Sequence, residues 1–511
     1  MQDTLNRLLG DVVNPLFVAH PPAPWTLDAT VAKVTEAQLD RLGWRAAFDA
    51  MEALENGAIA NPDEGRQVGH YWLRAPESAP TVLQGKAIGE TAENIRTFAE
   101  QILSGAITAE GGERFTHLVH IGIGGSALGP RMIVDALATG GLETRFLDNI
   151  DPDGISRVLA TVPLRSTLFT VASKSGSTPE PMHGLTLVER ALVAQGLERN
   201  SRFVALTVAG SKLDKRAEDW LARFHLWDWV GGRYSVFSAV GLLPAALAGI
   251  DTDGLLRGAR DMDEWTRTPD WRDNPAALLA GCWHVLGDGK GSRNMAVIPY
   301  SDRMVLLSQY LQQLVMESIG KASDLKGNPV SQGLTVYGNK GSTDQHAIIQ
   351  QLRDGHNDFI CLLVQVLGDG QGNPEVLDGS ANAGDFLQGF LLGTRRALHE
   401  NGRSSLTLTV PHLDAYILGG IIALFDRAVG LYATLIDINA YHQPGVEAGK
   451  KAAASLLVLA ESVQAHLGDA SGRAVEIATA LGADPLEVHY ILARLALTDR
   501  VTNTDGVFSR P

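Results

Sequence analysis

The stretch from Ser301 to Lys321, SDRMVLLSQYLQQLVMESIGK, has helical periodicity and stops near Gly320, which predicts one long helix. Gln309, Gln313 and Glu317 recur on it at i, i+4 and i+8, so three polar side chains share one face. No Lys or Arg falls between Arg303 and Lys321, which is sparse charge for a solvated face and favours a cleft-facing Glu317. A carboxylate so placed suits carbon-acid chemistry, because it can take a proton from one carbon and return it to the neighbour. A fixed cation comes from Arg233 in WDWVGGRYSVFSAVG, after Gly231 and Gly232 in an apolar and aromatic run. Burying that guanidinium requires an anion, either Asp228 or a charge on a substrate.

Two loops suit anion binding. Gly122-Ile-Gly-Gly-Ser-Ala127 fits a GxGxxA turn, and Asp148 closes the next strand where a ribose-binding acid would sit. The same residues also suit a tight ligand-free turn, or a loop whose backbone at Gly125 and hydroxyl at Ser126 meet an anion or a sugar. The second loop is Ser173-Lys174-Ser175-Gly176-Ser177-Thr178, with Pro179 following at a first helical turn. A plain N-cap needs one hydroxyl, and this loop carries four, which predicts a phosphate cradle built from hydroxyls, backbone N–H groups and a helix dipole. The chain has no GxxxxGK[ST] loop for a nucleoside triphosphate. His346, in GSTDQHA, follows a turn where an imidazole can work near neutral pH. Glu447 and Lys450 stand at i, i+3 on a helix entered through YHQPG.

These residues need a frame. HLVHIGIGG from His117, TRFLDNID, STLFTVA and RFVALTV are short β-rich runs alternating with helical segments, the mark of a parallel, doubly wound sheet. NMAVIPYS, LTVYGN and DFICLLVQV repeat the pattern further on. The expected layout is α/β: a mostly helical wrap over 1–84, one domain over 85–250, a second over 251–466 and a tail over 467–511. In that tail two helices joined by GADP precede a strand-like TNTDGVFSR, resembling a winged helix-turn-helix. Residues 461–511 hold four basic and seven acidic side chains, which speaks against nucleic acid as a partner.

Composition agrees. With 511 residues and 45% hydrophobic side chains the chain can bury more than one core, and its net charge of −15 disfavours nucleic acid and anionic membranes. The Ala415–Phe425 run, bracketed by Asp414 and Asp426, is too short to span a bilayer. Two cysteines, Cys282 and Cys361, exclude a disulfide framework and a structural zinc cluster and suit the cytoplasm. The N-terminus has no signal-peptide pattern.

Taken in order, IGIGGSALGP, DWVGGRYSVFSAVG, VMESIGK, GSTDQHA and ATLIDINAYHQPGVEAGK closely resemble the glucose-6-phosphate isomerase (phosphoglucose isomerase) family, in its bacterial and chloroplast-like branch. The resemblance implies two sugar-isomerase (SIS-type) domains and aldose–ketose isomerisation with no metal and no other cofactor. It implies Glu317 as enolising base, Arg233 as stabiliser of a cis-enediolate, and His346 and Lys450 as ring-opening residues. Gln313 and Gln443 would orient the substrate. Gly125, Ser126, Ser173, Lys174, Ser175, Thr178 and Gly232 would line the sugar-phosphate site. It further implies a homodimer in which His346 serves the neighbouring subunit's site. A non-catalytic sugar-phosphate sensor would have no use for Glu317, Arg233, His346 and Lys450 together, and a dinucleotide-dependent dehydrogenase leaves SKSGST unexplained.

Overall fold

The computed structural model describes residues 16–20, 25–370, 372 and 375–511. The fold is α/β with parallel-rich sheets, and the chain divides into two compact units, one through His442 and one over Gln443–Pro511. Both large sheets lie in the first unit.

The first sheet is wholly parallel, with strands in the order Glu143–Leu147, His117–Ile121, Thr167–Ala172, Phe203–Val208 and Ala222–Leu226. Its inner strands are buried almost throughout and mostly apolar, as strands covered by helices on both faces must be. The fifth strand, ARFHL, carries Arg223 and His225 among its apolar residues and lacks a continuous run, so the β-pattern did not announce it.

The second sheet has six strands, in the order Phe17–His20, Trp25–Asp28, Ser405–Val410, Phe359–Val366, Asn294–Tyr300 and Val336–Tyr337. Its last four strands are parallel, and Trp25–Asp28 joins Ser405–Val410 antiparallel. The segment expected to be mostly helical therefore opens with two strands among its described residues. Four-residue strands whose pairing depends on a partner far along the chain leave little periodic signal.

Helix Ala415–Leu435 runs on past Phe425 through Asp426 and Arg427, so the apolar element is 21 residues long rather than a short run. It is the one described helix long and apolar enough to cross a membrane, yet 94% of its apolar window is buried inside the protein. Its two charges sit in an internal network. Arg74 donates to Asp263 at 2.5 and 3.0 Å and to Asp426 at 2.9 Å, and Arg427 pairs with Glu55 at 2.5 Å.

The second unit comprises helix Pro444–Asp469, helices Ala474–Leu481 and Pro485–Leu497, and a hairpin of Thr502–Thr504 with Val507–Ser509. Val463, Leu467, Ile477, Val488, Leu492 and Phe508 form its own core.

Candidate active site

The predicted single helix over 301–321 is three pieces: a 3-10 turn at Asp302–Met304, a short α-helix Leu307–Leu311 and a π-helix Gln312–Glu317. Apolar side chains at Leu311, Leu314, Val315 and Ile319 keep a helical burial pattern, which is why residue types alone did not reveal the change of winding. Gln313 and Glu317 still share a face. Gln313 Nε2 donates to Glu317 Oε2 at 3.0 Å, whereas Gln309 is exposed and takes no part. The Glu317 side chain is 20% exposed, so its carboxylate remains open to a ligand.

Arg233 is buried, and the carboxylate beside it is that of Glu317, which the sequence did not offer as its partner. Its Nη1 lies 3.7 Å from Glu317 Oε1, while Asp228 pairs with Lys174 at 3.6 Å. Arg233 Nε donates to Ser318 Oγ at 2.7 Å, and Nη2 donates to the carbonyls of Ala440 and, at 3.1 Å, His442. Tyr234 packs under the guanidinium, and its hydroxyl is 2.7 Å from Ser318 Oγ. Ser318 and the two carbonyls orient the guanidinium, which stands beside the Glu317 carboxylate.

The first glycine turn closes against these residues. A Cβ at Gly125 would stand 2.1 Å from the Gly232 carbonyl oxygen and 2.7 Å from Arg233 N, so only glycine allows the two turns to meet. A Cβ at Gly124 would lie 3.1 Å from Gln313 Nε2. Ser126 is half-buried at the turn before helix Leu128–Leu137. Beneath it His120 is fully buried, donating from Nε2 to the Ser126 carbonyl at 2.6 Å and accepting at Nδ1 from the Thr170 hydroxyl at 2.8 Å. Burial pushes this imidazole down to about 4, so it stays neutral. Asp148 pairs with Arg131 at 3.1 Å.

In the second loop the hydroxyls divide. Ser173 is buried and accepts from Gly176 N at 3.1 Å, while Ser175 and Ser177 are exposed and Thr178 is half-buried ahead of helix Pro179–Ala194. Gly176 has φ +66°, and a Cβ there would meet Leu213 N at 2.2 Å. Lys174 turns away from the hydroxyls, and its ammonium donates to the carbonyls of Asp228 at 2.8 Å and Val230 at 3.2 Å, tying the loop to the segment that leads into Arg233.

His346 closes a 3-10 turn, Thr343–His346, anchored by buried Asp344, which accepts from Asn339 N at 2.8 Å. The imidazole is exposed and has no hydrogen-bond partner among the described residues. Gln443 and Lys450 belong to the second unit, Gln443 just before helix Pro444–Asp469 and Lys450 within it. The side chains of Glu447 and Lys450 lie outside the described residues.

The sequence profile of the family described as phosphoglucose isomerase matches residues 29–377 and 390–475, a span that takes in every candidate site residue named above. The chain belongs to the phosphoglucose isomerase family. It is 55% identical over 454 residues to the glucose-6-phosphate isomerase of Synechococcus sp. (strain JA-3-3Ab), covering 87% of this chain and 85% of that one. It is 54% identical over 445 residues to that of Geobacter sulfurreducens, covering 85% and 84%. Among solved structures, a glucose-6-phosphate isomerase from Chlamydia trachomatis superposes with a TM-score of 0.77 at 28% identity, over 85% of this chain and 88% of the other. Within this phosphoglucose isomerase fold, sequence reasoning passed over three side chains that touch the site residues: His120, Ser318 and Lys321. The last two stand inside the quoted VMESIGK, where the absence of other basic residues nearby was the available signal for Lys321.

Proposed function

We propose that this protein is a glucose-6-phosphate isomerase, interconverting glucose 6-phosphate and fructose 6-phosphate through a cis-enediolate. The observation that carries the reading is the Glu317 carboxylate, steadied by Gln313 at 3.0 Å and set 3.7 Å from a buried guanidinium, in a chain of this family. Glu317 takes the proton from C2 of the open-chain aldose and returns it to C1. The negative charge this leaves on the C1 and C2 oxygens falls beside Arg233, a preorganised cation. His346 and Lys450 move the proton between the ring oxygen and the C1 hydroxyl, and Gln313 and Gln443 orient the chain of the sugar. The phosphate is taken by Ser126, Ser175 and Thr178 with the backbone around Gly125 and Gly232, while Ser173 and Lys174 hold their loop in shape, the contacts at Gly176 and Asp228 supporting that division.

The proposal includes a cytoplasmic homodimer whose subunits exchange His346. Helix Ala383–Glu400 supports it: Phe386 and Phe390, one turn apart on one face, are 39% and 47% exposed, apolar side chains that a partner would cover. Gln345, next to His346, donates to the Phe390 carbonyl at 3.1 Å, so that surface and the imidazole lie together.

The test is a coupled assay of both directions, run with and without a chelator. Turnover insensitive to chelation is expected. Glu317→Gln should lower isomerisation and solvent-deuterium uptake at C2 by about 100-fold or more, while a phosphorylated aldonic acid still binds. Retained deuterium exchange would assign the proton transfer to another residue.

A further inference from the structure

Lys321 is a cation buried at the heart of the site, with no role in the chemistry above. It is 4% exposed, although it begins the short strand Lys321–Ser323, with only Gly320 between it and the helical winding that follows the π-helix. A lysine so buried keeps its ammonium only with good partners. Its Nζ turns back along the chain and donates to the main-chain carbonyl of Glu317 at 2.6 Å. The backbone leaves the helix at Gly320, and a side chain thus serves a carbonyl on the final π turn, the turn that carries the carboxylate.

We propose that Lys321 is the positioning residue for Glu317: it fixes the last turn of the π-helix through the Glu317 carbonyl and adds a second cation, beside Arg233, to the field at the carboxylate. The proposal rests on the isomerase reading. The ionisable groups around the ammonium are Glu317 on its own segment, Arg233 from the Gly231–Tyr234 turn, Asp63 from the loop before Glu64, and His442. Burial first and the neighbouring Arg233 second push the Lys321 ammonium down to about 7, while Glu317 and Asp63 oppose them. When protonated, the ammonium adds positive charge near the carboxylate.

Lys321→Met removes the charge and the donor, and Lys321→Gln removes the charge but keeps a neutral donor. In the wild type and both variants, kcat, KM and the pH profile of kcat/KM are measured beside thermal melting. In Lys321→Met kcat should fall by about 10-fold or more with KM within about twofold, because a displaced base is lost mainly in the transition state. Lys321→Gln should lose less kcat. In both, the acid limb of the profile should move up by about one pH unit. Parallel loss of kcat, KM and melting temperature with an unmoved acid limb would reduce Lys321 to a folding role and overturn the proposal. Wild-type values in both variants would overturn it as well. If Lys321→Met does not fold, the acid limb of Lys321→Gln decides alone, and an unmoved limb refutes. A wild type without turnover refutes the isomerase reading and this proposal with it, whereas an active wild type with unaffected variants refutes this proposal only.

Discussion

At the scale of single residues, the side chains legible in the sequence were those whose partners lie close along the chain. Gln313 and Glu317 meet because i, i+4 spacing survives the change from α to π winding. His120 was not legible, since its worth comes from Thr170 on the neighbouring strand and from a carbonyl across a turn, and HLVHI reads only as a buried strand. Arg233 stood out as a charge in an apolar run, yet its holders Ser318 and Ala440 are distant in sequence. The buried His120 also makes stability depend on pH. Its folded pKa, about 4, lies below the ordinary 6.5, so its contribution is complete above about pH 6.5 and is lost as pH falls toward 4. A His120→Gln variant lacks that proton linkage. Between pH 7 and pH 4, its unfolding free energy in urea should drop by about 3 kcal/mol less than that of the wild type. Equal drops would show that the imidazole accepts a proton without unfolding.

At the scale of elements, the strands around the first glycine turn and the SKSGST loop were readable because each is a short, β-rich and mostly apolar run that breaks into a glycine or hydroxyl-rich turn. The π-helix was not, because the side chains that fill its buried face are those an α-helix would use. The loop after Thr167–Ala172 is shaped by Gly176, whose positive φ and contact with Leu213 leave no room for a methyl group. Backbone strain of this kind costs about 1–3 kcal/mol, and here it would fall on the phosphate loop. Gly176→Ala should therefore raise KM for a sugar phosphate by about 10-fold or more and leave the weak turnover of the unphosphorylated sugar nearly unchanged. Steady-state kinetics on the two substrates checks this, and equal losses on both would remove the loop from phosphate binding.

At the scale of the whole molecule, the proposed exchange of His346 between subunits is open to a mixing experiment. Glu317→Gln and His346→Ala homodimers, each nearly inactive, are unfolded together and refolded. In a mixed dimer one site takes both defects and the other neither. Random pairing makes about half the dimers mixed, so activity should return to about one quarter of wild type. If each site were built from one chain, mixing would restore nothing, even in a sample whose mass shows heterodimers.

The pairing of Trp25–Asp28 with Ser405–Val410 has a consequence for how the chain is made. The first sheet is drawn from one contiguous stretch, residues 117–226, and can close as soon as that stretch has left the ribosome. The second sheet cannot. Its antiparallel edge, Trp25–Asp28, is translated well before its partner strand, which ends at Val410. At ordinary elongation rates Trp25, Leu27 and their neighbours wait on the order of 20–80 s, exposed, for the strand that will bury them. During synthesis, chaperone occupancy should therefore track the strand pair Phe17–His20 and Trp25–Asp28 until Val410 emerges, long after the first sheet has closed.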